Sequence, residues 1–191
     1  MLFSVFVFGQ RTDMMFARDG RTVSLGDPVS IQLPICPVGE FAGSHRMARP
    51  ANKTTYQRSA PCAIFDVTYV GFTPEAQAAF QAAVDIWSYS ISSSVPITIY
   101  AVWDNALPAN ILGSAGPSFM YPLTGTGLPP DTYFAKALAN HMFGFDLDPD
   151  TYDIYAQFNP NFDWYLGIDG NPAPTQVDFV SVVLHELAHG L

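Results

Sequence analysis

The sequence predicts a mixed α/β (α+β) fold, a twisted sheet packed against one backing helix and against a second helix that carries ionisable residues. Three observations lead there. A strand-helix-strand pattern runs from Ala63 to Trp103, an apolar helical run from Phe179 to Leu187 contains His185 and Glu186, and the composition is 49% hydrophobic with 13% charged residues. Such a composition offers enough apolar surface to offset chain entropy, so the chain is ordered. Its 191 residues suffice for one main domain with a real core.

Residues 1–62 read as an irregular N-terminal extension or pro-segment. Leu2 to Phe8 is apolar but lacks a basic flank, and it fits a clipped signal or an ordinary first strand equally well. Residues 9 to 61 show no sustained period, hold all six arginines, and include Pro34, Pro37, Pro50 and Pro61. Asn52-Lys53-Thr54 is a glycosylation sequon, which matters only on a eukaryotic secretory route. Cys36 and Cys62 enclose a long loop. In an exported protein they would form a disulfide; the alternative makes Cys36 a thiolate that masks a catalytic metal.

From Ala63 the pattern becomes regular. Ile64, Phe65, Val67, Thr68, Tyr69 and Val70 suit a strand that Gly71 ends. Thr73, Pro74 and Glu75 form a helix start, with an N-cap, a first-turn proline and a first-turn acid. The helix from Glu75 to Ile91 repeats Phe80, Ala83, Val84, Trp87 and Ile91 at three- and four-residue steps, so it packs one face on a core. After Ser92-Ser93-Ser94, Ile97 to Trp103 is a second strand, and a unit of this length implies parallel pairing. Asp104 to Asp131 is rich in Gly and Pro and reads as loops around a short strand at Asn110 to Ser114. Phe134 to Phe143 reads as a short helix and Ile154 to Phe158 as a strand. Asp146, Asp148 and Asp150 fall at every second position, with Asp153 following, as in oxygen-rich calcium loops. Thr151 stands where an EF-hand needs glycine, which leaves a solvated acidic turn beside a structural Ca2+ site as readings.

Seventeen acidic against eight basic side chains give a formal charge of -9, which speaks against a nucleic-acid partner or an anionic membrane surface. No stretch reaches the roughly 20 apolar residues of a transmembrane segment. No pattern specifies an oligomeric state.

The chemistry concentrates in Val183-Leu184-His185-Glu186-Leu187-Ala188-His189-Gly190-Leu191. In a helix, positions four apart differ by about 40° and lie about 6 Å apart along the axis, so His185 and His189 face one point. Two imidazoles so placed are metal ligands, and Glu186, about 100° round from His185, flanks the same point as a general base. The surrounding Phe179, Val180, Val182, Val183, Leu184 and Leu187 would bury this helix, where ionisable groups are costly unless paired or coordinated. His45 and His141 read as ordinary surface or packing histidines, although either is a third ligand in principle.

This segment resembles the active-site helix of zincin metallopeptidases, most nearly exported microbial proteins whose motif reads H-E-L-x-H-G-L-G-F. Phe80 to Trp87, Ser93 to Ile97, Leu112 to Pro117 and Phe158 to Tyr165 are similar to segments of that group, so the likeness covers roughly Ala63 to Leu191. The resemblance implies a secreted Zn2+-dependent metallopeptidase with His185 and His189 on the metal. It implies a zinc-bound water activated by Glu186, and a protein or peptide substrate lying along the edge of the Ile154 to Phe158 strand. It also implies a third zinc ligand downstream, so residues 63–191 read as the N-terminal part of a catalytic domain truncated after His189, too incomplete to act alone because its ligand set lacks a member. Two other readings stand beside it. One is a secreted adhesive or scaffold module with a structural zinc helix; the other is a metal-dependent hydrolase of non-peptide bonds.

Overall fold

The computed structural model describes residues 3–7, 10–16, 19, 21–37 and 61–191. The sequon at Asn52 and His45 lie outside them. Within them the protein is a mixed α+β structure with three helices and several sheets. None of these helices is long and apolar enough to cross a membrane.

The central sheet has the order β4-β7-β10-β6-β5. Its strands are β4 (Cys36–Pro37), β5 (Phe65–Val70), β6 (Ile97–Trp103), β7 (Ile111–Pro117) and β10 (Ile154–Phe158). β5 pairs parallel with β6, as the strand-helix-strand spacing predicts, and β6 pairs parallel with β10. β10 pairs antiparallel with β7 along its whole length. It is therefore an interior strand, and the expectation that a peptide adds to its edge does not hold: β6 and β7 already take its backbone hydrogen bonds on both sides.

Helix α1 (Pro74–Ser90) connects β5 to β6 and covers one face of the sheet. The Thr73 hydroxyl caps it by accepting from the Ala76 amide at 3.2 Å. Ala76, Ala79, Phe80, Ala83 and Val84 are its buried stripe, while Trp87 and Ile91 pack at the margin. Beneath lie Ile97, Ile99, Ala101, Ile154, Ala156 and Phe158, the inward positions of β6 and β10. Helix α3 (Phe179–Ala188) lies beside α1 and over β7.

A second sheet, fully antiparallel, has the order β1-β2-β3-β8-β9. It contains β1 (Phe3–Val7), β2 (Gln10–Phe16), β3 (Thr22–Leu25), β8 (Met120–Gly125) and β9 (Tyr133–Ala135). Strands thus run through parts of residues 9–61 where no regular structure was expected. Their pairing is set by partners across the sheet, with β3 on β8 and β4 on β7, and local alternation carries little of it. Helix α2 (Lys136–Phe143) starts two residues later than its sequence pattern suggests, because Phe134 and Ala135 are held in β9. Val23, Tyr121, Leu123, Ala139 and Phe143 form a second, smaller core there. β11 (Trp164–Tyr165) pairs with β12 (Val177–Asp178) just before α3.

Candidate metal centre

The site is built on α3. Asp178 is the N-cap: its carboxylate accepts from the Ser181 amide at 3.2 Å and from the Ser181 hydroxyl at 2.5 Å. An aromatic wedge fixes the same end. Phe179 meets Trp103, Phe158 and Trp164 edge-on at centroid separations of 5.0, 5.1 and 5.0 Å, an arrangement favoured by the ring quadrupoles. Trp164 is held in turn by donating its indole N–H to the carbonyl of the buried Asn159 at 2.8 Å. Mid-helix, the Trp87 indole N–H of α1 donates to the Leu184 carbonyl at 3.3 Å, tying the backing helix to the residue before His185.

At the C-terminal end of this helix the two histidines meet. His185 Nε2 and His189 Nε2 are 3.3 Å apart and the rings are nearly perpendicular, at 82°. Both side chains are exposed, whereas Glu186 between them is fully buried. Past His189 the chain turns inward, and Gly190 packs on Ile154 of β10.

Two nitrogens each about 2.0 to 2.1 Å from a tetrahedral zinc lie about 3.3 Å from one another. The separation of the imidazole pair therefore matches one edge of such a tetrahedron, and the donor set suits the metal. Among the described residues no third His, Cys, Asp or Glu joins the pair. Cys36 is buried in the core of the central sheet and is not brought to the imidazoles, nor is His141, in the last turn of α2. The Cys62 amide donates to the Ser88 carbonyl in the last turn of α1.

The acidic loop is organised around a residue that the sequence pattern does not single out. Lys136 of α2 is completely buried, and its ammonium donates to the carbonyls of Asp148 and Thr151, each at 2.6 Å. Asp146 and Asp153 carboxylates lie 3.6 and 3.7 Å from it. Asp150 is exposed and stands apart. The signal that could have marked Lys136 is its rarity: it is one of two lysines, placed at the start of a short helix.

The chain belongs to the SPBPB7E8-like family, whose model matches residues 74–191. That span opens on the first residue of α1 and takes in α3, so both helices of the central layer and the strands β6, β7 and β10 fall within it. Comparisons with curated proteins and with solved structures find no match.

Proposed function

We propose that the chain carries part of a zinc-dependent hydrolytic site of zincin type, acting on peptide bonds, with His185 and His189 as metal ligands and Glu186 as general base. The observation that supports this most is the 3.3 Å separation of the two Nε2 atoms on successive turns of a helix that is otherwise packed into the core. Each imidazole would present Nε2 as an acceptor and keep its proton on Nδ1. A bound zinc ion supplies Lewis-acid polarisation of the scissile carbonyl. Glu186 takes the proton of the attacking water on its carboxylate and passes it to the nitrogen that leaves as the C–N bond breaks. Its burial and its place between two tertiary anchors, the Trp87 contact and the Gly190 packing, keep the carboxylate from wandering.

The test is zinc retention by the purified chain after equilibrium dialysis, beside His185→Ala, His189→Ala and Glu186→Gln. With two protein donors among the described residues where a catalytic zinc takes three, binding is weak but measurable. It is lost in both alanine variants and kept in Glu186→Gln. Equal retention by wild type and both alanine variants overturns the metal site. Where peptide hydrolysis is measured, Glu186→Gln lowers it by about 10²- to 10⁴-fold, and near-normal turnover with full zinc removes Glu186 from the mechanism.

A further inference from the structure

We propose that the loop 146–153 is a cation cradle whose cation is built into the chain: the Lys136 ammonium holds the place that a structural metal ion would take. Five oxygens surround Lys136 Nζ. Two are the Asp148 and Thr151 carbonyls at 2.6 Å, one is the Thr151 hydroxyl at 3.0 Å, and two are the Asp146 and Asp153 carboxylate oxygens at 3.6 and 3.7 Å. Main-chain carbonyls, a hydroxyl and carboxylates gathered on one point are the donors that a hard cation selects. An ammonium has only three protons, and the carbonyls and hydroxyl take them at hydrogen-bond distance. The two carboxylates therefore act on it through charge, at a range where Coulomb attraction in a buried setting is still strong.

The cradle is assembled before the charge is counted. Asn140, one turn on from Lys136, donates to Asp153 at 2.8 Å and to Asp146 at 3.2 Å, and its own carbonyl oxygen accepts from the Leu147 amide. Asp153 also accepts from the amide and hydroxyl of Thr98 at 2.7 and 3.0 Å, which bolts the start of β10 to the start of β6. Remove the ammonium and two carboxylates with a set of inward carbonyls face one cavity without a counter-ion, which is the costly state for buried charge.

The experiment is chemical rescue in Lys136→Ala, which deletes the equivalent of propylamine. The wild-type melting temperature is unchanged by millimolar Ca2+ or by chelator. In Lys136→Ala it falls by roughly 10 °C, and propylammonium or Ca2+ restores a large part of that loss while 1-propanol does not. Recovery with either cation but not the alcohol supports the cradle. No recovery with a cation, or equal recovery with the alcohol, overturns it, as does a wild-type melting temperature that Ca2+ raises by several degrees. Should the alanine variant not fold, native wild-type protein answers instead: reductive methylation leaves Lys136 unmodified, and modification at the rate of a free lysine overturns the assignment.

Discussion

Gly190 stands between the second histidine and the core, and its missing side chain is a packing requirement. A Cβ there would lie 2.7 to 2.8 Å from three carbons of Ile154, closer than non-bonded carbons approach. Alanine at this position pushes the end of α3 away from β10 or distorts Ile154, at a cost of about 1 to 3 kcal/mol. Urea denaturation of Gly190→Ala measures it, and a double-mutant cycle assigns it. In an Ile154→Ala background the same substitution costs less, because the obstructing carbons are gone. An identical cost in both backgrounds places the strain elsewhere. At this scale the sequence was legible for His185 and His189, since the four-residue step alone brings two imidazoles to one side of a helix. About Gly190 it was silent. The reason for the glycine is Ile154, thirty-six positions earlier by the numbering of the chain, and no local pattern connects the two.

The elements legible in the sequence are those whose burial is one-sided and regular. α1 shows its stripe because one face meets the sheet, and β6 alternates between buried and half-buried positions from Ile97 to Ala101. β7 was legible only in its first half, as the short strand expected at Asn110 to Ser114, for the opposite reason. Every residue from Ile111 to Pro117 is buried, so no alternation remains, and its Gly-Ser-Ala-Gly stretch has the composition of a loop. β8 and β9 are missed altogether, with Pro122 inside a strand that local chemistry would end. α3 was legible as an apolar run, but its start depends on a cap. Asp178→Ala removes the acceptor of the Ser181 amide and hydroxyl and costs about 1 kcal/mol, whereas Asp178→Asn, a comparable N-cap, costs much less. Chemical denaturation of the two variants checks this. Equal losses mean that the carboxylate charge, and not the capping hydrogen bond, is what α3 uses.

Across the whole molecule, the acidic loop joins the two cores: Lys136 and Asn140 come from α2, beside the smaller core, and Asp153 leads into β10 in the larger. Its carboxylates also act on Tyr121 of β8, which is 3% exposed. Burial, reinforced by the charges of Asp148, Asp146 and Asp153, pushes the Tyr121 hydroxyl up to about 12, against 10.0 for an ordinary tyrosine. The consequence for stability has a definite sign. Below pH 10 both folded and unfolded chains hold the proton, and the group contributes nothing that varies with pH. Between about 10 and 12 the unfolded chain releases it while the folded chain retains it, so the folded state binds more protons and stability falls as pH rises. Tyr121→Phe keeps the ring in its core and removes the titrating hydroxyl, so its stability should fall less steeply than that of wild type across this window. Denaturant titrations at a series of alkaline pH values give the two slopes, and the tyrosinate absorbance of the folded protein reports the same group directly. Parallel slopes, or a folded state in which all nine tyrosines ionise near pH 10, would show that neither burial nor the charge of the acidic loop holds the proton on Tyr121.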